Sequence, residues 1–168
     1  QTLVQLLVAV SLLALVWLSF GQNVLSPPEP VGAPEQFGGL RLTSSTTGPE
    51  ALSRVNRLHG TEINLVSAYV AEYALSYQQG VTAWVGQAAS PHAAAELLEL
   101  MVAGISRGST GFSGLQSLSV SGQTVFQVSG PGGEHYFYLA PEPGSRVIWL
   151  TITADDSRSI LEQAVKTF

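Results

Sequence analysis

The side chains best suited to acid–base or metal chemistry are the histidines and their acidic neighbours. His59 stands near Glu62, and His135 directly follows Glu134. A first-row metal site needs three or four converging ligands, and neither pair belongs to an HExxH motif or another diagnostic spacing. The remaining histidine, His92, falls in the first turn of a predicted helix. We therefore predict no metal site, and a metal-dependent enzyme built on His135, Glu134 and His59 is the least favoured alternative.

Other catalytic motifs give the same result. The glycine-rich loop SGPGGEH at residues 129–135 lacks the Lys and the Ser or Thr of a phosphate-binding loop, and it joins two predicted strands. The chain has no cysteine, which excludes disulfides, thiolate metal sites and a cysteine nucleophile. Its few acidic and histidine candidates cannot be assembled into a serine-hydrolase triad from spacing alone. The sequence predicts no catalytic residue and no cofactor, so the chain is not expected to be an enzyme.

The pattern beyond residue 48 predicts an α+β domain. Its capping residues, apolar periodicity and turn motifs indicate one antiparallel sheet of about six strands, two longer helices and one short helix, in the order αββαββββα. The predicted elements are a helix at Pro49–His59, strands at 63–75 and 81–88, a helix from Ser90 ended by Gly108, strands at 115–120, 124–129, 134–140 and 146–152, and a last helix capped by Asp155 or Asp156.

Aromatic residues in the hairpins provide a predicted recognition surface. A last hairpin turning between residues 142 and 143 places Tyr136 opposite Trp149 and Tyr138 opposite Val147, on one face. His135, Phe137, Leu139, Ile148 and Leu150 then occupy the other face, beneath the two long helices. In the first hairpin Glu72 is expected opposite Trp84, with Tyr69, Ala71, Tyr73, Ala83 and Val85 on the opposite face. The predicted surface comprises Tyr136, Tyr138, Trp149 and Trp84.

That surface has an alternative interpretation. The helix at Pro49–His59, or the preceding linker, could cover the Trp149 face and make a three-layer sandwich with the aromatic residues in its core. Large exposed apolar patches are uncommon on soluble domains, which favours this covered arrangement.

The N-terminal segment is expected to meet the membrane. Residues 3–20 carry no charge and would span about 27 Å as a helix, close to the hydrocarbon thickness of a bilayer. We predict a transmembrane anchor at residues 1–21; the alternative is a signal peptide cleaved after Gly21, which would leave the domain secreted. The predicted anchor residues are Leu3, Leu7, Leu13, Trp17 and Phe20.

The segment after this anchor indicates its orientation. Residues 22–47 are rich in Pro and Gly and read as a semi-rigid linker before a domain at 48–168. Between Gln22 and Leu40 there is no Lys or Arg, whereas Glu29 and Glu35 are present, so the positive-inside rule places the domain outside the cytoplasm. The net charge of -5 and the absence of a basic stripe argue against a nucleic-acid partner.

Several short motifs carry a resemblance to known sequences. They are LHG at 58–60, WVGQA at 84–88, GQTVFQVSGPGGEHYFYL at 122–139 and VIWL at 147–150. Together they resemble an uncharacterised family of small bacterial membrane-anchored proteins with an extracytoplasmic α+β domain. The resemblance implies tethering and fold, and it implies no activity.

These observations favour a binding function. The leading expectation is a single-pass, membrane-anchored extracytoplasmic module that serves as an accessory, assembly or regulatory subunit of a membrane protein complex, with the lipid bilayer and a membrane protein as partners. The alternative is an extracytoplasmic sensor or carrier that holds a small apolar ligand between sheet and helix.

Overall fold

The computed structural model describes residues 32–59, 62–76, 79–108, 111–141 and 144–168. This part of the chain forms an α+β domain whose elements follow in the order ββαββαββββα. The strands are β1 (Gln36–Phe37), β2 (Leu40–Thr47), β3 (Ser67–Ser76), β4 (Gln79–Gln87), β5 (Ser113–Val120), β6 (Gln123–Gly130), β7 (Gly133–Leu139) and β8 (Arg146–Ile152). The helices are α1 (Gly48–His59), α2 (Pro91–Ser106) and α3 (Ser157–Thr167).

The helix ends lie where their capping residues place them. The Ser90 side chain accepts a hydrogen bond from the Ala93 backbone N–H at 3.2 Å and satisfies one of the free donors at the start of α2. Gly108 follows this helix with a left-handed backbone at φ +69°, a conformation that glycine adopts without steric cost. Asp156 caps α3 through the Ser159 N–H at 3.1 Å. The three predicted helices are thus confirmed.

All strand pairs are antiparallel, and the sheet order is β1-β2-β3-β4-β8-β7-β6-β5. Two four-stranded antiparallel units, one from each half of the domain, join at the β4–β8 pair in the middle of the sheet. Trp84 and Trp149 are directly opposite each other in that pair. The centre of the sheet therefore brings together two tryptophans that are far apart in the sequence.

The sheet curls around α3. This helix contacts β1 and β5, which are the two edges of the sheet. A flat sheet of this size would hold its edges about 34 Å apart, whereas a helix is about 10 Å across, so both edges can meet α3 only if the sheet bends. We call the side that packs on α3 the concave face. Its core includes Leu161 and Val165 of the helix and Val85, Ile148 and Tyr138 of the sheet.

The other two helices cover the opposite, convex face. Ala51 and Val55 of α1 pack on Ala68 and Val70 of β3. Ala94 of α2 packs near Val147 of β8. Ile105 of the same helix packs with Val128 of β6 and Phe137 of β7. The domain is therefore a three-layer arrangement. The expectation that both long helices cover one face is wrong, because α2 and α3 lie on opposite faces.

Two strands were missed by the sequence pattern. The sheet begins at Gln36, inside the stretch predicted to be linker, so the described sheet has eight strands instead of about six. Most residues of β2 are exposed or half-buried, and its sequence LRLTSSTT lacks the apolar alternation of an inner strand. Backbone pairing with β3 on one side and with the short edge strand β1 on the other holds it in the sheet without that alternation.

The predicted membrane anchor and its residues Leu3, Leu7, Leu13, Trp17 and Phe20 lie outside the described residues. Within the described ranges, none of the helices is long and apolar enough to cross a bilayer.

Candidate functional site

The register of the last hairpin separates the four aromatic residues predicted to form one surface. Tyr136 pairs with Leu150 and Tyr138 with Ile148, whereas Phe137 is the residue opposite Trp149. The pairing is offset by one residue from the predicted hairpin, and a one-residue offset moves every side chain to the other face. The predicted common surface is therefore wrong: Tyr136 and Tyr138 belong to the concave core, and Trp149 lies on the convex face.

The first hairpin keeps the predicted faces despite a different register. Trp84 pairs with Val70 instead of Glu72, and Glu72 pairs with Thr82. This offset is two residues, which matches the side-chain period of a strand and leaves each side chain on its expected face. The predicted apolar set of this hairpin is buried in the concave core: Tyr69, Ala71, Tyr73, Ala83 and Val85.

A row of stacked rings crosses the convex face. The Trp149 ring stacks on Phe137 with centroids 5.2 Å apart and planes at 14°. Phe137 stacks in turn on Phe126, also at 5.2 Å. Phe112 closes the row edge-on against Trp149, with centroids 4.9 Å apart. We call these four rings the aromatic row, and offset stacking of this kind stabilises their positions beyond simple burial.

Helices cover much of the convex face above the tryptophans. Trp84 packs against the cluster formed by α1 and β3, and Trp149 packs against the cluster that contains Ile105 of α2. Both tryptophans remain half-buried. The arrangement is close to the covered alternative, except that α2, not the helix at Pro49–His59, packs with Trp149. Whether the tryptophans act in recognition stays a prediction.

His135 is held as a structural residue behind the aromatic row. Its Nε2 lies 2.9 Å from the Pro131 carbonyl oxygen, and its Nδ1 lies 3.1 Å from the Thr151 hydroxyl oxygen. Because a carbonyl can only accept, Nε2 carries the proton and Nδ1 accepts from Thr151 in the neutral ring. Burial is the main cause that lowers the pKa of His135, so the neutral form is favoured. Both nitrogens are already engaged.

The three groups of the enzyme alternative do not converge. Glu134 precedes His135 in the same strand and therefore points to the concave side, where it accepts a hydrogen bond from the Tyr136 hydroxyl. Hydrogen bonds from Ser157 and then Tyr136 lower the pKa of Glu134. His59 lies at the end of α1, with its Nδ1 2.9 Å from the Val55 carbonyl oxygen. The described ranges contain no group of three His, Cys, Asp or Glu side chains placed for a metal ion.

Helix α2 has an apolar flank that the sequence pattern did not single out. Of its residues, only Ala94 and Ile105 are fully buried. Ala93 and Leu97 are half-buried, and Leu100 is 67% exposed. These three follow one another at i, i+4 and i+7, so they form a line along one side of the helix. We call them the α2 flank. The feature of the sequence that could have indicated this flank is the low number of charged residues between Ala93 and Ile105, which are Glu96 and Glu99.

Comparison with known proteins gives no match. No protein-family model, curated protein or solved structure matches this chain.

Proposed function

We propose that this protein is a membrane-anchored binding module, an accessory, assembly or regulatory subunit that works outside the cytoplasm within a membrane protein complex. The uncharged residues 3–20 support attachment to a bilayer. The acidic, Lys- and Arg-free segment that follows supports the extracytoplasmic side.

The α2 flank is the observation that carries the binding proposal. A surface helix normally presents a polar side to solvent once its apolar side is packed on the sheet. In α2 the apolar character continues from the sheet-facing side onto the flank and ends at the 67% exposed Leu100. Apolar side chains at this helical spacing are the anchors by which an amphipathic helix binds a groove on another protein.

The charges beside the flank suggest what kind of surface it meets. Glu96 and Glu99 are both exposed on this helix. The last turn of the helix contains no basic residue. A partner with an apolar centre and basic side chains at its rim would complement this helix, because opposite charges around an apolar contact steer association. We therefore propose an extracytoplasmic protein surface of that composition as the partner.

The test uses the full-length protein in its native membrane. A photo-reactive benzoyl-phenylalanine at position 100 should crosslink to one defined membrane protein, whereas the same probe at position 92 should not. His92 is a matched control because its side chain is also exposed, at 85%, on the same helix. Leu100→Glu should abolish stoichiometric co-purification in mild detergent, and His92→Gln, a change at another exposed position of the same helix, should preserve most of it. A lone protein, with no specific adduct at position 100, would refute the proposal.

A second candidate function is a carrier or sensor of a small apolar ligand. The half-buried rings of Trp84 and Trp149 favour it, because aromatic side chains beneath two helices form the type of surface that small ligands use. A saturable, ligand-dependent change in tryptophan emission that disappears in Trp84→Phe would support this function. An unchanged emission together with a crosslinked partner would favour the first proposal.

A further inference from the structure

Three hydrogen-bond donors lie unpaired on the concave face, away from the α2 flank. The strand registers place Tyr69, Val85, Ile148 and Tyr138 in one row across β3, β4, β8 and β7. Tyr138 is 0% exposed and Tyr69 is 2% exposed. Arg146 stands two residues before Ile148 in the same strand, so its side chain leaves the same face of the sheet.

None of the three donors has a partner. The hydroxyl oxygens of Tyr69 and Tyr138 and the Nε of Arg146 are buried without a hydrogen bond. Other polar groups on this face are paired: the Tyr73 hydroxyl donates to the Pro34 carbonyl at 3.0 Å, and the Gln87 amide donates to the Ser145 hydroxyl at 2.6 Å. Buried polar groups in folded proteins nearly always have partners, and each exception calls for an explanation.

The three donors also act on one another. Burial is the main cause that raises the pKa of both Tyr69 and Tyr138. The Tyr69 hydroxyl raises the pKa of Tyr138 further, and the positive charge of Arg146 lowers the pKa of both tyrosines. Because the sheet curls toward this face, side chains that leave it from separate strands converge. The row therefore brings two phenols and one cation to a common place above Val85 and Ile148.

We propose that Tyr69, Tyr138 and Arg146 form a binding site for a carboxylate group. A carboxylate offers two oxygens with several acceptor positions, which can take one hydrogen bond from each hydroxyl and one from the guanidinium group. Its negative charge also balances Arg146, and hydrogen bonds to charged partners are about twice as strong as neutral ones. The aliphatic side chains of Val85 and Ile148 beneath the donors suit an acid with an apolar tail.

This carboxylate has two sources to be distinguished. One is Glu29 of the same chain. Ala33 packs against the concave core and Pro34 accepts from Tyr73, so the chain enters the domain on this face. Glu29 stands five residues before Pro34 in the sequence, and five residues can span about 15 Å when extended. The four-residue step from Tyr73 to Tyr69 along β3 is about 13 Å, which lies within that reach. The other source is a free carboxylic acid.

The experiment follows the tyrosine hydroxyls directly. The full-length chain, labelled with ¹³C at the tyrosine Cζ atoms, is held in detergent micelles, and its five tyrosine signals are assigned with single Phe variants. Tyr136 is the internal reference because its hydroxyl already donates to Glu134. Glu29→Gln is compared with Glu35→Gln, which removes the same charge at a position preceding β1. Sodium octanoate is then titrated into the wild type, Glu29→Gln and Arg146→Gln.

The expected result is a shift of the Tyr69 and Tyr138 signals without a shift at Tyr136. If Glu29→Gln alone produces it, the chain supplies its own carboxylate. If octanoate produces it saturably and Arg146→Gln abolishes it, the site takes a free acid. In either case Tyr138→Phe in the occupied state should lower the melting temperature. The proposal would be overturned if neither Glu29→Gln nor octanoate shifted the Tyr69 and Tyr138 signals and Tyr138→Phe left the melting temperature unchanged or raised it. That result would show an unpaired hydroxyl, whose deletion costs no hydrogen bond.

Discussion

Gly130 offers a direct test of how tightly the aromatic row is packed. A Cβ atom at this position would lie 2.5 Å from Cε1 of the Phe112 ring and closer still to Cδ1. Such an approach is far inside van der Waals contact, so Gly130→Ala must push Phe112 away from Trp149 and His135, whose ring centroids each lie 4.9 Å from it. Overpacking of this kind costs about 1–3 kcal/mol. Replacing a strand glycine by alanine gains roughly 0.5–1 kcal/mol of stability, so we expect the net loss in the free energy of unfolding to be about 1 kcal/mol.

Urea unfolding of the full-length protein, followed by tryptophan emission, measures this loss. The matched control is Gly104→Ala in α2, where a Cβ would meet nothing within 4 Å and a gain of about 0.5–1 kcal/mol is expected. In a Phe112→Leu background the cost of Gly130→Ala should largely disappear, since the clashing ring is gone. A Gly130→Ala variant as stable as the wild type, or a cost that persists without Phe112, would refute the packing argument.

Two further predictions concern stability. Leu161→Ala should lower the free energy of unfolding by about 2–5 kcal/mol, because this side chain is 0% exposed in the concave core. The exposed Leu100→Ala should change it by less than about 0.5 kcal/mol. Equal losses of the two variants in urea titrations would contradict the assignment of Leu100 to an open flank. His135 has a pKa lowered by burial from 6.5, so the unfolded chain takes up its proton first and stability should fall as the pH drops below 6.5 and through the folded pKa. His135→Phe should flatten this part of the pH profile and the exposed His92→Gln should preserve it; an unchanged slope in His135→Phe would show that other groups cause the effect.

Local chemistry made the helices predictable. The Ser90–Pro91 pair and the glycine at 108 bound α2, and Asp156 begins α3, because caps and breakers act within one turn of the chain. The strands β3 to β8 were found for a similar reason, since turn residues separate them. Faces of the first hairpin were also predictable, because the error in its register was an even number of residues.

The faces of the last hairpin were not predictable from its residues. In β7 the side chains from His135 to Tyr138 are all buried, so the strand lacks the polar alternation that would distinguish its two faces. A strand covered by helices on both sides loses that alternation. Only its pairing with β8 determines which residues of the two strands share a face. The predicted aromatic surface failed at this point, since it depended on a single residue of register.

What the sequence determined by itself is the set of elements and their order from α1 onward, because capping, turn geometry and periodicity are local properties of the chain. Only the tertiary structure decided that the sheet curls around α3, that β1 and β2 extend it beyond β3, and that Tyr69, Tyr138 and Arg146 share the concave face. These features depend on contacts between residues distant in the chain, where strand register and the choice of sheet face are set by how the whole core packs.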